Sequence, residues 1–98
     1  MPKYYFAIAS EKFLLSEEPT EEILRERVYY YKNNNKPVDF WLIKNPVFLE
    51  KPEMHQLQKQ LSILRTAAIV STNALFIKWI KLRLHFVITG KFEQELLS

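Results

Sequence analysis

The residues best suited to chemistry are two histidines, His55 and His85, and four carboxylates, Glu17, Glu18, Glu21 and Glu22. Neighbouring carboxylates can act as general acid and base, and histidines can shuttle protons or ligate a metal. The spacing argues against both uses. His55 lies beside Met54 at a helix start, and His85 lies among hydrophobic neighbours. Neither belongs to a two-histidine helical pair or a Glu-x-x-His pattern, so both read as surface or half-buried side chains. The glutamates surround Pro19 and read as the solvated first turn of a helix, where negative charge complements the helix dipole. Gly90 is the one glycine, so no phosphate-cradling loop is available. With no cysteine there is no disulfide, no cysteine-ligated zinc, no iron–sulfur cluster and no thiol nucleophile. The sequence thus implies no catalytic residue, no cofactor and no metal site.

What remains is a set of charges in costly positions. Asp39, in the stretch KPVDFWLI, shares a strand face with Trp41 and Ile43. Arg27 falls inside the apolar arc of a helix, and Arg83 follows an amphipathic helix. One explanation is internal: Arg27 or Arg83 pairs with Asp39, or the arginines extend their heads to water. The other is an exposed recognition surface made of Asp39, Phe40 and Arg83, since arginine and aromatics commonly anchor such surfaces. Residue types alone leave both open. Tyrosines 29–31 beside Lys32, and Trp79 beside Lys78, raise base stacking as well. Tyr30, Tyr31 and Trp79 fall on predicted core faces, which favours packing over nucleic-acid binding.

These side chains must be positioned by one small domain spanning residues 1–98. A chain this size buries roughly 60–65% of its unfolded surface. Its 48% hydrophobic and 14% aromatic residues supply the core. The net charge is +3, with residues 1–49 balanced at seven basic and seven acidic side chains. Residues 50–98 carry seven basic and four acidic, a surplus too small for a typical nucleic-acid face. No apolar run approaches the roughly 20 residues that span a bilayer, and the opening MPKYYFAIAS has no secretory or transit pattern.

Residues 3–10 read as a strand with Tyr5, Ala7 and Ala9 on one face and Tyr4, Phe6 and Ile8 on the other. Both faces are apolar, which predicts a central strand covered on both sides. A first helix runs to about Lys32, with Asn33 or Asn34 in the left-handed conformation at its end. Val38 to Lys44 is a second strand, and Pro46–Leu49 a loop with apolar anchors. A second helix begins at Pro52, with Met54, Leu57 and Leu61 inward. Thr66 to Ser71 is a third strand, with Ala67 and Ala68 under a helix. Ser71, Thr72 and Asn73 offer N-caps for a third helix. Ending that helix at Lys81 and starting a strand at Leu82 places Arg83, His85 and Thr89 on one face, with Gly90 closing the strand.

The segments YYFAIASEKFL, EEILRER, DFWLIKNPVFL, STNALFIKWIKLRL and TGKF, spread from Tyr4 to Phe92, together resemble a known family. The most specific pieces are Asp39-Phe40-Trp41, Ser71-Thr72-Asn73 and Trp79-x-Lys81-x-Arg83. The family consists of small proteins of cyanobacteria and plastids that serve as accessory factors of the oxidative cyclase of chlorophyll biosynthesis. That enzyme converts magnesium-protoporphyrin IX monomethyl ester to divinyl protochlorophyllide. The resemblance implies a non-enzymatic factor that binds the enzyme's membrane-associated, di-iron catalytic subunit, with other enzymes of chlorophyll synthesis as further partners. It implies a place in the cyanobacterial cytoplasm or plastid stroma, at the thylakoid surface through partners only. It implies an α+β fold, a four-stranded, largely antiparallel sheet flanked by three helices. It also matches the family's partner-binding positions to Asp39, Phe40 and Arg83. On this basis Phe40 is expected as an exposed apolar anchor, with Trp41 packed behind the sheet. A tetrapyrrole-binding carrier that delivers substrate to the cyclase is the second reading.

Overall fold

The computed structural model describes residues 3–61 and 65–94. Four strands and three helices follow one another in the expected order. They are β1 (Lys3–Ser10), α1 (Thr20–Asn33), β2 (Phe40–Lys44), α2 (His55–Gln60), β3 (Thr66–Ser71), α3 (Ala74–Leu84) and β4 (Ile88–Glu93). The sheet order is β2-β3-β1-β4, and every neighbouring pair is antiparallel. The α+β expectation therefore holds.

The two-sided apolar pattern of β1 places it inside the sheet, as expected. Ala7 and Ala9 join the cluster under α1 and α3, with Tyr5 packed against it. Tyr4, Phe6 and Ile8 join the cluster on the opposite face, with Phe48, Met54 and Leu61. All of β3 is buried. Removing a side chain such as Ile8 or Ile69 from water contributes about 1.5–3 kcal/mol, so these two strands anchor the domain. The small Ala67 lies within the cluster that includes Phe76, Ile77 and Ile80 of α3, as its size predicts.

Besides β2 starting at Phe40 rather than Val38, and α2 at His55 after a 3-10 turn rather than at Pro52, three features differ from expectation. The positive φ after α1 falls on Asn35 (54°) rather than Asn33 or Asn34. Asn34 instead donates its side-chain amide to the Tyr30 carbonyl at 2.8 Å, which satisfies one of the free carbonyls of the helix end. Between β1 and α1, residues Phe13–Glu17 form a short π-helical turn that buries Leu14.

The third difference concerns the end of α3. The helix continues past Lys81 to Leu84, and Arg83 is helical, not the opening of a strand. Phe76, Ile77, Ile80 and Leu84 form its buried face. Alternation over 82–89 mimics a strand because the outer face of α3 is itself apolar. The helix stops where the Lys81 ammonium donates to the carbonyls of His85 (2.8 Å) and Val87 (2.6 Å) and His85 takes φ 64°. Gly90 lies in the middle of β4, opposite Phe6, and does not end the strand. A Cβ at Gly90 would come within 2.5 Å of the Phe6 ring, so this glycine makes room for an aromatic.

Candidate functional site

Asp39 stands immediately before β2 and joins three elements. Its Oδ1 accepts a 2.9 Å hydrogen bond from the Tyr31 hydroxyl of α1. Its carbonyl accepts from Ser71 Oγ at 2.9 Å and from the Thr72 amide at 3.2 Å. Ser71 Oγ in turn accepts from the Asn73 amide, and Asn73 Oδ1 caps α3 by accepting from the Leu75 and Phe76 amides. The triplet Ser71-Thr72-Asn73 is thus a structural hinge that fixes the start of α3 against Asp39. Burial is the main cause that raises the Tyr31 pKa above the usual tyrosine value. The bond donated to Asp39 adds to the rise, and the Arg27 guanidinium opposes it.

The two open explanations for Asp39 both need revision. Asp39 is half-buried, and no ion pair joins it to Arg27 or Arg83 among the described residues. Phe40 is 5% exposed, so it is not the exposed anchor expected of it. Its ring packs edge-on to Tyr31 at 5.6 Å and against Phe76 at 4.9 Å. Trp41, expected behind the sheet, is 39% exposed on the other face, edge-on to Tyr4. The two side chains do point to opposite faces, but their exposures are reversed. The reason is that the core under α1 and α3 is deep at β2, and Phe40 faces it.

Arg83 is exposed near the C-terminal end of α3, whereas Asp39 braces the N-terminal end. Ten residues of helix separate Asn73 from Arg83, about 15 Å along the axis. The fold therefore does not bring Asp39 and Arg83 into contact as one charge pair.

Arg27 has a different role from either expected one. Its guanidinium lies 5.1–5.8 Å from the ring centroids of Tyr30, Tyr31, Phe76 and Trp79. A cation among aromatic faces is attracted by their quadrupoles, and here it clamps α1 to α3. Tyr30, expected in the core, is half exposed beside it. Trp79 stacks at 6.1 Å on the buried Phe76 yet remains partly open to solvent.

Trp79, which helical periodicity assigns to a core face, instead lies in an exposed apolar surface that continues into residues read as a strand. Leu75 is 72% exposed, Leu82 73%, and Phe86, just past the helix, 81%. Residues 75, 79 and 82 share one face of α3, and Arg83 follows Trp79 by one turn. A row of exposed large apolar side chains marks an interaction surface, unlike single ones scattered over a protein. The signal in the sequence was that ALFIKWIKLRL is apolar nearly all round, which one core alone cannot explain.

Both histidines are exposed, and no group of three or more potential ligands for a metal ion occurs among the described residues. No described helix is long and apolar enough to cross a membrane.

A family model for the Ycf54 protein matches residues 2–94. The chain belongs to the Ycf54 family. It is 56% identical over 96 residues to the ycf54 protein of Porphyra purpurea, covering 98% of this chain and 88% of that one. The chloroplastic YCF54 protein of Arabidopsis thaliana is 39% identical over 93 residues, which cover 93% of this chain and 42% of that longer protein. The solved Ycf54 structure from Synechocystis superimposes with a TM-score of 0.90 at 46% identity, covering 98% of this chain and 89% of that one. This Ycf54-family chain thus shares its fold with a cyanobacterial relative and its sequence with relatives that include a chloroplastic one.

Proposed function

We propose that this chain is a non-catalytic accessory factor that docks on the di-iron catalytic subunit of the oxidative cyclase and supports protochlorophyllide formation. The observation that carries the docking half is the exposed row Leu75, Trp79, Leu82 and Phe86 beside Arg83, held by the Arg27 clamp. The choice of partner rests on the sequence resemblance described above. In this reading Trp79 is a preorganised aromatic anchor, since Phe76 and Arg27 fix its ring before binding. Arg83 supplies an exposed charge one turn further. Asp39 and Phe40 act from beneath: Asp39 fixes the start of α3 and Phe40 supports Tyr31 and Phe76. Membrane association follows from the partner.

The test is affinity capture from photosynthetic membranes with wild type, Trp79→Ala, Arg83→Ala and Phe40→Leu. The first two should weaken capture of the catalytic subunit. Arg83→Ala should keep the wild-type melting temperature, whereas Trp79→Ala, which also removes ring contacts to Phe76 and Arg27, should lower it while the chain stays folded. Phe40→Leu should retain it. Retention of the subunit by Trp79→Ala and Arg83→Ala together would remove α3 as the docking face.

A further inference from the structure

A second feature of α3 adjoins the docking row, with Leu82 at the boundary of both. Between the helix and the sheet, over β1 and β4, a cleft of about 590 Å³ opens to solvent. That volume falls in the roughly 300–1,000 Å³ range of small-molecule sites. Ala74 and Ile77 of α3 form its apolar wall, and Tyr5 and Thr89 rise from the sheet. The cleft lies over the sheet face, not along the open edge of β4, because Tyr5 and Lys91 are cross-strand partners and Thr89 shares their face. A bound peptide strand would need the edge; a compact ligand fits the face.

The rim is cationic. Lys78, Lys81 and Lys91 surround the cleft and no carboxylate lines it. Lys81 is committed to the carbonyls that end α3. Lys78 and Lys91 make no hydrogen bond or ion pair among the described residues, and neither does the Tyr5 hydroxyl. The imbalance is regional: residues 54–92 contain six lysines and arginines and no aspartate or glutamate. We infer that this cleft binds a small amphipathic carboxylic acid, its apolar body against Ala74 and Ile77 and its carboxylate between Lys78 and Lys91, with Tyr5 as a further donor. Apolar lining supplies affinity, and charge-assisted bonds at the rim set the orientation.

The test needs only the purified full chain and no partner, so it succeeds or fails independently of the docking proposal. Titration with cis-parinaric acid below its micelle concentration, read by probe fluorescence, should saturate with a micromolar Kd. The methyl ester of the same probe should bind about tenfold more weakly, as should the acid to Lys78→Gln/Lys91→Gln. Ala74→Trp, which fills the cleft, should abolish binding while circular dichroism reports an intact fold. Equal binding of acid and ester would overturn the lysine rim as the recognition element. No saturable binding, or binding only to anionic vesicles, would overturn the site.

Discussion

Under α1 and α3 the sheet is held by a hydrogen-bonded seam, Tyr31 to Asp39 and Asp39 to Ser71 and Thr72, with Arg27 among four rings. On its other face Phe48 stacks on Phe92 at 4.4 Å and packs at a tilt against Phe6 at 4.9 Å, and no described side-chain hydrogen bond ties that cluster together. Both faces are well buried. They differ in specificity. Aromatic burial is strong but non-directional, whereas hydrogen bonds and a cation clamp fix one orientation of α3. The directional face is the one whose helix presents an apolar row to solvent. Stability and docking are thereby separable, and variants on each face should separate them.

The largest effect should come from Phe48→Ala on the purely apolar face. Its ring is buried, and truncation should cost about 3–5 kcal/mol. In a chain of this length, thermal unfolding should shift down by on the order of 15 °C. Capture of the partner below that transition should be unchanged. Loss of capture by the folded variant would break the division between faces.

Gly90→Ala tests the same face more gently. The added Cβ must displace the Phe6 ring, which is itself buried against Phe48 and Phe92. Overpacking of this kind should cost about 1–3 kcal/mol, read by urea unfolding. A neutral result would show that the aromatic cluster relaxes freely.

Asp39 crosses the division. Asp39→Ala leaves the Tyr31 hydroxyl without its acceptor, with an expected loss of about 1–3 kcal/mol. Asp39→Asn keeps an acceptor oxygen and should recover much of that stability. If Asp39→Asn is stable yet fails to capture the partner, the charge itself belongs to the interface and its role is more than support.

Arg83→Ala should change stability by no more than about 0.5 kcal/mol, because the side chain is exposed. Its partner affinity should fall about tenfold, measured by surface-immobilised binding. The smallest effect is in pH. The folded Tyr31 pKa is raised, mainly by burial. The folded chain therefore keeps a proton that the unfolded chain releases near pH 10, and stability should decline as pH rises through about 10 towards the folded value. Tyr31→Phe should lose less melting temperature than wild type between pH 9 and 11. Identical slopes would show that other groups govern the alkaline limb.

Much of the fold was legible. Two-sided apolarity placed β1 in the sheet interior, and the caps at Ser71–Asn73 marked the start of α3. The antiparallel pairing was not legible from periodicity, because strand–helix–strand units ordinarily connect parallel strands. It came from family resemblance. The end of α3 was misjudged because an apolar outer stripe imitates strand alternation. The site was only partly legible. The half-buried position of Asp39 fits its reading as a costly charge, whereas Arg83 is an exposed cation in the last turn of α3, and the distance between the two is not encoded in local pattern. Phe40 and Trp41 were assigned opposite faces correctly and opposite exposures wrongly, since strand parity gives sides, not depth.

The sequence alone determined the element order, the scarcity of catalytic residue types and the presence of charges that demanded partners. Tertiary structure decided which partners those were. Arg27 found four rings rather than a carboxylate, and Asp39 found a tyrosine rather than an arginine. Local pattern encodes which face a side chain takes. Which face remains open to solvent depends on how the layers stack, and among the described residues the outer side of α3 keeps Leu75, Leu82 and, just past the helix, Phe86 open to solvent.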